Sequence, residues 1–135
     1  MVRKLKKNRR GAATVEMAIV LPLLLMLTMG AIKYGWLFLK AQQITNAARQ
    51  GARIAILPDV TEDDVLTAIS NLMTAAGMGS AYLPPTITPG VGVGPGEAVT
   101  VRITVPAANV DIMAIGLLPA PATLGAEVTM AKEGS

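Results

Sequence analysis

The sequence predicts an α+β protein. One long N-terminal helix spans a membrane and continues into a small head, with one further helix and a roughly three-stranded antiparallel sheet. Three observations predict this. Sixteen consecutive uncharged residues, Met17 to Ile32, follow a strongly basic start. Small and apolar residues then recur at helical spacing as far as Ala55, with no turn signal before Pro58. From Ser80 the pattern changes to period-two alternation punctuated by proline and glycine.

The basic start comes first. Six of the twelve basic residues (Arg3, Lys4, Lys6, Lys7, Arg9 and Arg10) fall in the first ten positions, so the formal charge of +3 is unevenly placed. From Gly11 onward six basic residues face nine acidic ones, a net of −3. Such a head fits either a nucleic-acid tail or the cytoplasmic flank of a membrane span. The residues that follow decide between them. Ala12 to Ile32 as a helix rises roughly 31 Å, close to the thickness of a bilayer's hydrocarbon core. Basic residues beside such a span stay cytoplasmic, which makes Arg9 and Arg10 the cytoplasmic anchor.

Three kinds of segment share this outline. A secretory signal peptide needs a small-residue cleavage site beyond its apolar core. Here Lys33, Tyr34 and Trp36 stand in that place. A signal anchor stays uncleaved. A third kind of leader is cut on the cytoplasmic side, before the apolar run, and Gly11 closing the basic stretch suits it. Cleavage there frees an α-amino group on Ala12, about 6 Å along the helix from Glu16. Glu16 is the one carboxylate between Gly11 and Ile32. At membrane depth a carboxylate is costly unless paired, so Glu16 is a functional residue that a terminal amine would satisfy. At the headgroup boundary it would simply face water.

The helix continues past the span. Lys33 snorkels from the outer edge, and Tyr34, Trp36 and Phe38 form an interfacial aromatic belt. Leu37, Ala41, Ile44, Ala48, Gly51, Ala52 and Ala55 then share a face, opposite Gln42, Gln43, Asn46, Arg49, Gln50 and Arg53. So many small residues suit close packing against a neighbouring helix or beneath a sheet, although an ordinary amphipathic helix covering its own head has the same pattern. Pro22 removes a hydrogen bond to Ala18 and kinks the helix, a feature membrane helices tolerate. The expected organisation is a leader at 1–11, the helix at 12–57 with its span at 12–39, and an extracytoplasmic head at 58–135.

The second helix starts at Thr61, an N-cap followed by Glu62, Asp63 and Asp64 in the positive first turn. Val65, Ile69, Leu72 and Ala76 form its apolar face, with Leu66 and Met73 beside it, and Gly77 stops it. The acidic trio lacks the ligand alternation and glycine of a calcium loop, so capping is its role and no metal is expected. Tyr82 to Thr88, interrupted by prolines, reads as an edge strand. The glycine-rich run Pro89–Gly96 lacks the lysine and Ser/Thr of a phosphate loop and reads as a hairpin connection. In the strand Ala98–Val105, Val99, Val101, Ile103 and Val105 face inward; Thr100, Arg102 and Thr104 face out. A last strand has Leu124, Ala126, Val128 and Met130 on one side, Glu127 and Thr129 on the other. Between these strands, the apolar connection Ala107–Pro121 forms a loop or one short helical turn. The head is small for a core without disulfides, so the outer half of the long helix must complete it.

Function classes narrow quickly. The chain has no cysteine and no histidine, which removes thiolate and imidazole chemistry and the metal sites built on them. No serine triad can form. Four aromatic residues are too few for a base-stacking surface, and the charge run ends at Arg10. No enzyme activity, cofactor, nucleic-acid partner or small-molecule substrate is expected.

The stretch from Arg9 to Ile56 resembles the N-terminal signature of TadE-like proteins, the pseudopilins or minor pilins of the tight-adherence (Tad) pilus system. The resemblance runs through Gly11, the Val15-Glu16 pair, Leu21-Pro22-Leu23 and the block Asn46-Ala47-Ala48-Arg49-Gln50-Gly51-Ala52-Arg53. The closing segment Gly125–Glu133 is similar to the family's last strand, less specifically. Met17 departs from the aromatic that the resemblance favours after the glutamate. The resemblance implies a pilin-like head and cleavage between Gly11 and Ala12 by a prepilin peptidase. It also implies assembly with other pilin or pseudopilin subunits through Glu16, in a pilus serving adhesion or secretion. Before assembly the chain would lie in the inner membrane, head outward. The alternative is an uncleaved, single-pass, signal-anchored protein that binds a partner through its head.

Overall fold

The computed structural model describes residues 9–112 and 119–132. Arg3, Lys4, Lys6, Lys7, the side chains of Arg9 and Arg10, and Met113, Ile115, Leu117, Leu118 and Glu133 lie outside what is described. The element order is α1 (Arg9–Ala55), α2 (Glu62–Ala75), β1 (Thr86–Thr88), β2 (Ala98–Pro106), a short 3-10 turn (Ala107–Asn109) and β3 (Thr123–Ala131). This is the α+β arrangement that the hydropathy pattern predicts.

Helix α1 has 47 residues and runs on through Pro22. It starts slightly ahead of Ala12 and stops short of Leu57. The stop has a local cause: the Leu57 N–H turns back to the Ile54 carbonyl, and Asp59 takes a left-handed backbone (φ 57°) that reverses the chain. The N-terminal half of α1 is bare. Val15, Met17, Ile19, Leu23, Leu27 and Ile32 are among many large apolar residues exposed along it. The C-terminal half is clothed by the head, with Leu37, Ile44, Ala47, Ala48, Ala52 and Ala55 in the core.

Helix α2 is closed at both ends. At its start the Asp64 N–H donates to the Thr61 hydroxyl, while the Thr61 N–H donates to the Asp64 carboxylate, a reciprocal capping box. At its end Gly77 adopts φ 70°, the Met78 N–H reaches the Met73 carbonyl and the Gly77 N–H reaches that of Thr74. This is a Schellman stop, with Met78 buried behind it. The buried face is Val65, Ile69 and Met73. Leu72, expected on that face, is 40% exposed. Both Leu72 and Met73 satisfy helical spacing from Val65 and Ile69; the position of α1 chooses Met73.

The sheet is an antiparallel meander, β1-β2-β3. Val99, Val101, Ile103 and Val105 are fully buried against the helices. Their β3 partners Met130, Val128, Ala126 and Leu124 pack on the same core. The outer face carries Arg102 and Glu127 in cross-strand register, 3.3 Å apart, and the Thr100 and Thr129 hydroxyls, 2.8 Å apart. Residues 89–97 form the β1–β2 hairpin connection, closed where the Gly94 N–H donates to the Glu97 carboxylate. The edge strand at Tyr82–Thr88 is real but short, reduced to Thr86–Thr88 after the two prolines. The 3-10 turn is the helical turn expected in the connection between β2 and β3.

Candidate assembly site

The bare half of α1 holds the residues that the sequence singles out. The described helix is long and apolar enough to cross one, by length and composition. Gly11, Ala12 and Glu16 lie within its first turns, all exposed. Ala12 and Glu16 are four residues apart, so they share a helix face. Among the described residues Glu16 has no ion pair. Pro22 follows within the same exposed stretch.

Lys33 ends this stretch, and its environment differs from the snorkelling position that its place in the sequence suggests. It is 2% exposed, and its ammonium lies 3.0 Å from the Asp111 carboxylate, itself 11% exposed. A cation moved out of water needs such a partner. The helix turn beside it also grips the head. The Tyr34 hydroxyl donates to the Pro119 carbonyl at 2.7 Å, and the Trp36 indole N–H donates to the Val110 carbonyl at 2.8 Å. Two members of the expected aromatic belt are therefore fastened to the connection between β2 and β3, while Phe38 remains exposed. One turn further, the Lys40 ammonium donates to the Ala76 carbonyl at 2.6 Å and sits 4.8 Å from the Trp36 ring centre. It thus supplies a positive charge to the C-terminal end of α2, where the helix dipole favours one.

Sequence reasoning missed the Lys33–Asp111 pair. The signal was present: each is a lone charge in an apolar run, and the two have opposite sign. Of the residues singled out beforehand, Gly11, Ala12, Glu16 and Pro22 lie on one bare helix, away from the head.

Farther up α1, Arg49 and Arg53 stand exposed on one face. With Leu72 of α2 and Met130 of β3 they line a shallow groove. Asp59, Glu62 and Asp63 cluster, also exposed, at the turn into α2. Asp64 is occupied in the cap, and the Thr61 hydroxyl, then the Thr61 backbone N–H, hold its carboxyl below the ordinary aspartate value.

One helix thus carries two surfaces, a bare apolar one long enough to cross a membrane and one clothed by a small α+β head. Residues 11–53 match the family model described as TadE-like protein. The match bears out the resemblance drawn from the sequence, over the bare helix and the part of α1 that enters the head. No curated protein and no solved structure matches the chain.

Proposed function

We propose that this chain is a pseudopilin or minor pilin of a Tad-type pilus, a structural subunit rather than an enzyme. In this reading Arg9 and Arg10 hold the N-terminus in the cytoplasm, residues 12–39 contain the span, and the head lies outside the inner membrane. A prepilin peptidase cuts between Gly11 and Ala12. Glycine suits the cleaved position because no side chain obstructs the backbone's entry to the peptidase. The assembled pilus serves adhesion or secretion.

One observation carries the proposal. Glu16 stands exposed, on the face it shares with Ala12, within a bare apolar helix that matches the TadE-like family. Opposite charges in a low-dielectric bundle attract far more strongly than in water, and each alone is disfavoured. A subunit whose Glu16 meets a neighbour's Ala12 amine therefore gains both energy and register. The kink expected at Pro22 lies between this contact and the head.

The test combines N-terminal sequencing with co-purification. Wild-type protein extracted from membranes should begin at Ala12. Glu16→Ala should be inserted and cleaved as before, yet fail to co-purify with other pilus subunits. Recovery of Met1 or Val2 alone, with the peptidase present, would indicate an uncleaved anchor. Normal assembly of Glu16→Ala would remove the pairing mechanism.

A further inference from the structure

The exposed charges of the head are sorted in space. Arg49 and Arg53 lie one turn apart on α1, and neither has a carboxylate partner among the described residues. Their groove is flanked by Leu72, 40% exposed, and by the half-buried Met130. Asp59, Glu62 and Asp63 are likewise without a basic partner among the described residues. The molecule thus displays two complementary patches that do not meet within one chain.

We infer that the Arg49–Arg53 groove binds the acidic turn at Asp59–Asp63 of a second copy of this chain. This deepens the proposed assembly and rests on it. Helix geometry supplies the argument for that occupant. α1 and α2 are antiparallel, since Lys40 reaches Ala76 and Gly51 faces Ile69. From Ile69 back to Glu62 is a rise of roughly 10 Å, and Arg53 stands about 3 Å above Gly51. Glu62 therefore lies roughly 7 Å farther from the membrane than Arg53.

A neighbouring copy displaced outward by that amount brings its Arg53 level with the first copy's Glu62. The same displacement serves the other end of the helix. A neighbour's Ala12 meets Glu16 after an outward shift of four residues, roughly 6 Å. Both contacts thus need one stagger, in one direction, between the same two copies. Because the two patches differ, the contact is heterologous, and the axial stagger makes it repeat without closing into a ring, as a filament requires.

Crosslinking in cells that carry the pilus machinery tests this. The chain has no cysteine of its own. Gln50 and Glu62 are exposed and belong to the two patches. A full-length chain with Gln50→Cys and Glu62→Cys should oxidise to a ladder of multimers, which neither single variant should form. Adding Arg49→Glu and Arg53→Glu should reduce the ladder about tenfold or more, since like charges facing each other in an interface repel. Adding Asp63→Arg to that chain should bring the ladder back. Trp36 fluorescence and an Ala12 N-terminus confirm that each variant is folded and processed. A ladder indifferent to the charge reversal overturns the inference, as does Gln50→Cys linking only to a different protein. If the ladder is absent while Ala12 is the N-terminus and assembly still depends on Glu16, the inference falls alone. If only Met1 is found and no ladder forms, the proposed function falls with it.

Discussion

Gly51→Ala probes how closely α1 approaches the rest of the head. A β-carbon at position 51 would lie 2.8 Å from both Cδ1 and Cγ1 of Ile69 and 3.4 Å from Cγ1 of Val101. Carbon atoms pack favourably at about 3.5–4.0 Å, so the Ile69 contacts must open by about 0.7 Å or more. Ile69 has little room to give, because it is fully buried and Cγ1 is near the root of its side chain. Overpacking of this kind costs about 1–3 kcal/mol. Against it stands the helix preference for alanine over glycine, about 0.8–1 kcal/mol. The clash wins, and the net loss should be about 1 kcal/mol. Ile69→Val removes Cδ1, one of the two clashing atoms, and alone costs about 0.5–1.5 kcal/mol. The double variant should therefore be more stable than the sum of the singles by about 0.5 kcal/mol or more. Equilibrium unfolding of the full chain in detergent micelles measures this. Trp36, the only tryptophan, reports it through the indole that donates to Val110. A Gly51→Ala variant about 1 kcal/mol more stable than wild type, additive with Ile69→Val, would show helix propensity acting unopposed and refute the close approach.

Three further predictions concern the Lys33–Asp111 junction and the cap of α2. Asp111→Ala leaves the buried Lys33 ammonium without its carboxylate and should destabilise the junction by about 3–5 kcal/mol. Lys33→Met combined with Asp111→Leu should recover most of that loss in the same unfolding assay. Thr61→Ala should lower stability by about 1 kcal/mol by removing the α2 cap. The Asp64 carboxyl is held low in the folded protein, so its contribution is present above the unfolded value and disappears as pH falls through the folded one. A pH series of wild type and Asp64→Asn should show their difference in thermal midpoint at neutral pH, shrinking as the solution becomes more acidic than the ordinary aspartate range.

Local chemistry explains what could be read in advance. Thr61, the acidic first turn and Gly77 mark the ends of α2 because capping groups act on their own backbone. Val99 to Val105 alternate because a pleated strand buries every second residue, so β2 and its inward face are legible without knowing its neighbours. The long α1 is legible from Met17 to Ala55 because nothing in that stretch offers the backbone a competing turn. The choice between Leu72 and Met73 was not legible, since both fit a helical face beside Val65 and Ile69. The partner helix decided it, coming closest where Gly51 leaves room. The Lys33–Asp111 pair failed for the same reason. Which lone charge meets which depends on how the β2–β3 connection folds back to α1, and no periodicity encodes that.

The two charges that bracket the apolar run are handled differently. Lys33 and Glu16 stand roughly 26 Å apart along α1, nearly a membrane's hydrocarbon thickness. The chain satisfies Lys33 itself, with a carboxylate carried back from the head and two neighbouring hydrogen bonds that hold the same connection in place. With Lys33 enclosed, the C-terminal end of the apolar run carries no uncompensated cation into the helix bundle that the proposed assembly requires. Glu16 receives no such partner among the described residues. A protein meant to live alone in a membrane has every energetic reason to replace that glutamate, because a neutral residue would insert at lower cost. Retaining it makes physical sense where a partner charge arrives from outside the chain. In the proposed assembly that charge is the amine freed at Ala12 of an adjacent copy, of opposite sign and about one helical turn away along the axis. On the proposed reading, folding closes one end of the apolar run, at Lys33, and assembly closes the other, at Glu16.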